Sequence, residues 1–246
     1  MIISHRGRGF RLPENTIPAF EAARCAGADA IECDLRLTAD GYVVVHHDDT
    51  VEGAQSKLSI RRHTLAELRD LAAEREASLP VLDDLLAYLH DTRLPVYMEV
   101  KSVSPLLAAK TADAIGRHGM WEQASVIGFP GLVFTAIRAK DRYPMLRVWR
   151  LLLFPAASTV VVPSSGDGVM LGWLDSIRGS QAFFRAVHSA GGLSRLQRRC
   201  QRRGMGVIAG VINNTEGWDL FRRAGIRHVV TDRVADAVAY GRALLV

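Results

Sequence analysis

Apolar residues recur along this chain in short runs, and most of these runs are separated by stretches in which apolar positions return at helical spacing. Strand-like segments fall at about 2–5, 30–36, 42–47, 96–101, 124–129, 146–152, 168–173, 206–212 and 227–231. Short strands alternating with helices mark a parallel sheet with crossover helices. Eight of the segments suit a closed (β/α)8 TIM barrel, an α/β fold of roughly 250 residues, which leaves one over. Leu37-Thr38-Ala39-Asp40-Gly41 accounts for it, because Asp-Gly between apolar alternations is a strong hairpin signal. Segments 30–36 and 42–47 are therefore expected to be antiparallel neighbours, a β-hairpin after the second strand.

The helical stretches add detail. Pro13-Glu14-Asn15-Thr16 precedes a predicted helix over 17–26, with Asn15 or Thr16 as N-cap, Pro18 tolerated in the first turn and Gly27 beyond its end. The span 48–95 exceeds a simple crossover and holds helical patterns at about 64–75 and 82–91. It reads as a small helical insertion, one or both helices serving as a lid over the barrel mouth. With no linker, repeat or low-complexity segment, residues 1–246 are expected to form a single domain.

Composition narrows the class. Hydrophobic residues make up 48% and charged residues 23%, a balance that suits a globular chain with a large core and excludes disorder. The formal charge of +5 comes from arginine, since Lys57, Lys101, Lys110 and Lys140 are the only lysines. A basic chain favours anionic partners without saying which. The cluster Arg195, Arg198, Arg199, Arg202 and Arg203 reads as a solvated helix face, with weak contact to a membrane surface as the sharper alternative. Nucleic acid is not an expected partner, because no recognition motif or aromatic platform accompanies these charges. The longest apolar stretches, such as 151–154 and 160–162, are interrupted by Pro155 and Pro163 and are too short to cross a bilayer. Met1 runs directly into Ile-Ile-Ser-His-Arg-Gly with no basic or apolar leader, so a cytoplasmic location is expected. Cys25, Cys33 and Cys200 lack metal-ligand spacing and are expected to be reduced, packed thiols.

The candidate chemistry lies in the first 101 residues. Glu32 and Asp34 occupy alternate positions of one strand and so point to the same side, where burial is costly without a cation. Glu99, from another strand, would be a third oxygen ligand for a hard divalent ion. An exposed edge strand, or an ion pair of Glu99 with Lys101, is the alternative reading. His5-Arg6-Gly7 ends the first strand, at the end where parallel barrels carry their chemistry. By itself that triplet is most often a basic pair beside a turn glycine. His46 and His47 are adjacent, so alternation lets only one join Glu32, and periodicity does not decide which. Two histidines, three carboxylates and two cations suffice for metal-assisted phosphodiester cleavage with one general base and one general acid.

The ordered motifs His-Arg-Gly, Pro-Glu-Asn-Thr, Gly-Ala-Asp-x-Ile-Glu-x-Asp, Thr-x-Asp-Gly, His-Asp-Asp-Thr, Glu-x-Lys and the late Thr231-Asp232 resemble those of the glycerophosphodiester phosphodiesterases. The match is dense over residues 3–50 and thin thereafter. The resemblance implies a TIM barrel with a small helical insertion that uses a divalent cation, Mg2+ or Ca2+. It implies hydrolysis of a small-molecule glycerophosphodiester to glycerol 3-phosphate and an alcohol. Residue by residue, it assigns Glu32, Asp34 and Glu99 to the metal, His5 and His47 to acid–base catalysis, and Arg6 and Lys101 to the phosphate. Glu14 and Asn15 take supporting roles, and the register of the motif selects His47 over His46. The chain departs from the pattern later, with Gly128-Phe129 where Ser-Phe is common and Gly210-Val211-Ile212-Asn213 where Trp-Thr-Val-Asn is common. These departures bear on substrate choice, and Trp149 and Trp173 are candidates to replace the lost aromatic surface. A lysophospholipase D-like or other alcohol phosphodiesterase is the runner-up, followed by a non-catalytic phosphate-binding barrel.

Overall fold

A computed structural model describes residues 1–152, 166–175, 177–188 and 191–243. The apolar run 160–162 and the second half of the run 151–154 lie outside the described residues. In chain order the strands are β1 (Ile2–His5), β2 (Ala30–Leu37), β3 (Val43–Val45), β4 (Thr50–Glu52), β5 (Lys57–Ser59), β6 (Val96–Val100), β7 (Ala124–Gly128), β8 (Arg147–Leu151), β9 (Gly168–Leu171), β10 (Gly206–Ala209) and β11 (Val229–Thr231). The helices are α1 (Ile17–Cys25), α2 (Leu65–Ala73), α3 (Leu82–Thr92), α4 (Pro105–Arg117), α5 (Pro130–Ala139), α6 (Ser180–His188), α7 (Gly192–Gln201), α8 (Thr215–Arg223) and α9 (Val234–Ala243).

Eight parallel strands close on themselves in the order β1, β2, β6, β7, β8, β9, β10, β11 and back to β1. A sheet covered on both faces needs strands that are apolar on both, except where the lumen carries chemistry. β2 shows the division. Ile31, Cys33 and Leu35 face outward and pack with Val96, Met98 and Val100 of β6 against Leu82, Leu85, Leu86 and Leu89 of α3. The alternate positions, Glu32 and Asp34 on β2 and Tyr97 and Glu99 on β6, share the lumen side. Below them Ile3, Ala30, Tyr97, Ile127, Met170, Ile208 and Val230 fill the barrel.

Antiparallel to β2 lies β3, with Leu35 opposite Val45 and Leu37 opposite Val43. The two helical patterns expected after it form α2 and α3, and two short strands that were not expected precede them. β4 and β5 form a two-stranded antiparallel sheet, and Val51, Ile60, Leu65, Leu68 and Leu71 bury a separate small core with Val44. Strands of three residues are too short to register in an apolar period. α2 belongs to this small core, whereas α3 packs on β2 and β6 as part of the outer ring.

Two further expectations need correction. Cys25 is exposed, and only Cys33 and Cys200 are buried, because Cys25 ends α1 on the side away from Phe20 and Ala23. Trp149 does not face the mouth. Its indole lies over Gly168 and Gly206, the first residues of their strands, where an added Cβ would come within 2.3 Å of the ring. It plugs the amino-terminal end of the barrel, edge-on to Tyr97 at 5.6 Å. On α7, Leu193, Leu196 and Cys200 turn inward while Arg195 and Arg198 face outward. Among the described residues, no helix is long and apolar enough to cross a membrane.

Candidate active site

Strand register assembles the site. His5 on β1 stands beside Glu32 on β2, and Asp34 on β2 stands beside Glu99 on β6. Four chemically competent residues thus meet at the carboxyl ends of three adjacent parallel strands, the end that carries chemistry in this architecture. After His5 the chain reverses through Arg6 (φ 57°) and Gly7 (φ 72°), closed by a 3.0 Å bond from the Arg8 N–H to the His5 carbonyl. Gly7 is required twice over. Its φ is positive, and a Cβ there would lie 2.7 Å from that of Ala19. Arg6 holds the same left-handed backbone without glycine's freedom, its N–H donating to the Glu32 carbonyl at 2.9 Å and its carbonyl accepting from the Asn15 N–H at 2.8 Å.

Asn15 (φ 59°) shows the same economy. Thr16, not Asn15, caps α1 through its Oγ1, which accepts from the Ala19 N–H. The Asn15 side chain is thereby left for Asp34: Nδ2 donates to Oδ2 at 2.9 Å, and Oδ1 accepts the Asp34 N–H at 3.2 Å. Asp34 is 0% exposed, and its carboxylate also faces Arg6 Nε at 2.9 Å and Lys101 Nζ at 3.0 Å. Burial pushes its carboxyl up, but Lys101, Arg6 and Asn15 outweigh burial and hold it below the usual range. Lys101 also reaches Glu99 Oε2 at 2.9 Å. Glu14 pairs with Arg6 at 3.3 Å and with Arg8, tying the guanidinium to the rim.

Glu32 differs from Asp34. Burial above all, then the neighbouring Asp34 and Glu99, pushes its carboxyl well above the ordinary value. Glu32 Oε2 and Glu99 Oε1 are buried oxygens with no hydrogen bond. One oxygen from each of Glu32, Asp34 and Glu99 lies within 4.8 Å of the other two. Three buried carboxylates with oxygens this close, on residues that also carry buried oxygens without a hydrogen bond, are suited to a hard divalent cation that takes oxygen ligands.

The histidines complete the picture. His5 Nδ1 donates to Asp232 Oδ1 at 2.7 Å, and its Nε2 is turned to Glu32 Oε2 at 3.8 Å. Asp232 is itself held, since its Oδ2 accepts from Asn213 Nδ2 at 2.7 Å and its N–H donates to Asn213 Oδ1 at 2.8 Å. Burial raises the Asp232 carboxyl, but the bonds from His5 and Asn213 prevail and leave it below its normal range. The adjacent histidines lie just past the end of β3 and take opposite sides. His47 lines the same cavity as His5, Arg6, Glu32, Glu99 and Lys101, whereas His46 lines a different depression and donates from Nε2 to the Thr50 carbonyl at 3.1 Å. His47 is 38% exposed and pairs through Nδ1 with Asp48 at 2.8 Å.

The cavity has a volume of about 520 Å³. Its lining includes no residue of 48–95, so neither α2 nor α3 contributes to its walls. All the expected site residues converge on or beside it: His5, Arg6, Glu32, His47, Glu99 and Lys101 line it directly, and Asp34, Glu14 and Asn15 stand behind them. Asp232 and Asn213 were not expected as partners of His5. The only signal was Thr231-Asp232 at the carboxyl end of the last strand, and its meaning depends on β11 closing onto β1.

Comparison with known proteins places the chain in a family and matches its fold. Residues 5–236 match the model of the Glycerophosphoryl diester phosphodiesterase family. The chain belongs to that family. It is thus a member of a group of phosphoric diester hydrolases. A glycerophosphodiester phosphodiesterase of Caldanaerobacter subterraneus subsp. tengcongensis is 27% identical over 243 residues, covering 94% of this chain and 93% of that one. The fold of glycerophosphodiester phosphodiesterase from Thermotoga maritima superposes with a TM-score of 0.73 at 20% identity, covering 97% of this chain and 96% of that one. An Oleispira antarctica phosphodiesterase, solved in complex with the product sn-glycerol-3-phosphate, superposes with a TM-score of 0.74 at 20% identity, covering 97% and 95%.

Proposed function

We propose that this chain hydrolyses glycerophosphodiesters to glycerol 3-phosphate and an alcohol, with a divalent cation, Mg2+ or Ca2+, held by Glu32, Asp34 and Glu99. The observation that carries this reading is the buried carboxylate cluster flanked by two histidines and two cations in one cavity. When bound, the cation supplies positive charge to the phosphoryl oxygens as the nucleophile adds. Arg6 and Lys101 add to that charge from the cavity wall and position the diester. Glu14 and Asn15 keep Arg6 and Asp34 in place.

His5 and His47 carry the protons. With its Nδ1–H committed to Asp232, His5 presents Nε2 to the cavity as a proton acceptor, so it removes the proton from the nucleophile. His47, at the solvent edge, donates a proton to the departing alkoxide. Asp232 fixes the His5 tautomer and the direction of its ring. A cytoplasmic setting would suit a substrate of this kind.

The reading is tested with purified protein and a panel of glycerophosphodiesters, each with magnesium, calcium, manganese or a chelator. Turnover that requires the ion and yields glycerol 3-phosphate supports it. Full turnover after exhaustive chelation, with metal analysis showing an empty site, refutes the metal assignment.

A further inference from the structure

The walls of the cavity differ sharply. His5, Arg6, Glu32, His47, Glu99 and Lys101 make up one side. Opposite them, on β7 to β11 and the segments that follow these strands, the described lining residues are apolar side chains and glycines, among them Phe129, Leu151, Met170, Leu174, Ile177 and Val211. Trp173 alone on that side carries a polar atom in its side chain, and its indole N–H is already donated to Asp175 at 2.9 Å. A substituent rich in hydroxyl or ammonium groups would find no partner there and would lose its hydration. The volume of about 520 Å³ is that of a pocket able to enclose a drug-sized ligand, more than a phosphate with a three-carbon polyol fills. The apolar side also continues outward. Leu174 and Ile177 are 49% and 54% exposed at the mouth, so a chain longer than the cavity has an apolar path to its edge.

We propose that the substrate carries a single long hydrocarbon chain: a monoacyl glycerophosphodiester whose phosphate faces the carboxylates and whose acyl chain lies along the Phe129–Leu174 side. This inference rests on the diesterase reading and names the substrate class of that same site. The reaction is a hydrolysis. Water oxygen bonds to phosphorus, its proton passes to His5, the bond from phosphorus to the head-group oxygen breaks, and His47 protonates that oxygen. The products are a monoacylglycerol phosphate and the free head-group alcohol.

The test compares glycerophosphocholine with its monohexanoyl, monooctanoyl and monodecanoyl derivatives, all with the same cation and all below their micelle-forming concentrations. Choline release is the readout throughout, so the leaving group is constant and only the chain varies. A fully buried methylene is worth up to about fourfold in kcat/KM. The expected result is a rise of at least about tenfold from glycerophosphocholine to the decanoyl substrate. Leu174→Ser and Ile177→Ser, at half-exposed positions, are expected to flatten that rise. Three outcomes overturn the proposal while leaving a glycerophosphodiesterase in place. They are a ratio that stays flat or falls with chain length, a slope unchanged in both variants, and a rise that is absent below the micelle threshold and appears only when the concentration series is extended above it, which would mean a lipid surface and not a chain in the cavity. Failure to cleave any diester with any cation overturns both readings.

Discussion

His46 and His47 are neighbours in sequence with opposite surroundings, and replacing each by alanine should separate stability from activity. His46 donates one hydrogen bond to the Thr50 carbonyl and is half-buried under the small core of α2, β4 and β5. His46→Ala removes that bond, worth about 0.5–1.5 kcal/mol, and opens a gap beside it, for a total loss of about 1–2 kcal/mol. At about 2–4 °C per kcal/mol for a chain of this size, Tm should fall by roughly 2–8 °C. His47 is 38% exposed and its partner Asp48 is 73% exposed, a surface pair worth about 0–1 kcal/mol, so His47→Ala should leave Tm nearly unchanged. The activities should run the other way, with kcat down roughly 10²–10⁴-fold in His47→Ala and nearly intact in His46→Ala. A pH series adds a second check. Burial lowers the His46 pKa from its ordinary value, and the bond to Thr50 only partly offsets it. The folded protein therefore favours the neutral ring: this contribution is fully present above about pH 6.5 and is lost as pH falls through the folded-state pKa. The stability gap between the parent and His46→Ala should accordingly narrow in acid. Thermal melts from pH 5 to 8 and steady-state kinetics on glycerophosphocholine measure all of this. A His46 variant as inactive as the His47 variant, or a gap that widens in acid, would refute the assignment of faces.

A p-nitrophenyl diester leaves without needing a proton, so His47→Ala should recover much of its lost kcat on that substrate while His5→Ala stays inactive; equal losses on both substrates would remove the division of roles. Asp232→Asn should lower kcat about 10–100-fold with little change in KM, because the amide no longer fixes the His5 tautomer; a change in KM alone would show that Asp232 acts on binding instead. Glu32→Gln should weaken cation binding by calorimetry while circular dichroism stays unchanged, and saturating cation at about 100 times its Kd should raise the stability of the parent by about 2.7 kcal/mol. With a thiol reagent at neutral pH, Cys25 alone should react in the native protein and all of Cys25, Cys33 and Cys200 after unfolding, since Cys33 and Cys200 are buried and burial pushes both thiols up.

Much of this protein is determined within short stretches of its chain. The alternation of Ile31, Cys33 and Leu35 with Glu32 and Asp34 places the carboxylates on one side of a strand whatever surrounds it, because side chains on a strand alternate. Asp40-Gly41 turns β2 back on β3, and Thr16 starts α1, through bonds that reach only a few residues. Other features depend on closure of the barrel. β11 must meet β1 before Asp232 can hold His5 across 227 positions of sequence, and no local period carries that pairing. The faces of His46 and His47 follow from how the chain leaves β3, just past the last paired residue, Val45, where strand periodicity no longer applies. Trp149 lies at the bottom of the barrel because Gly168 and Gly206, on other strands, leave room for its ring. The apolar side of the cavity is likewise assembled from β7 to β11 and the segments that follow them, and exists only when those strands stand side by side. Chain-local chemistry thus set the ligands and turns, while the pairing of distant strands decided which groups face one another.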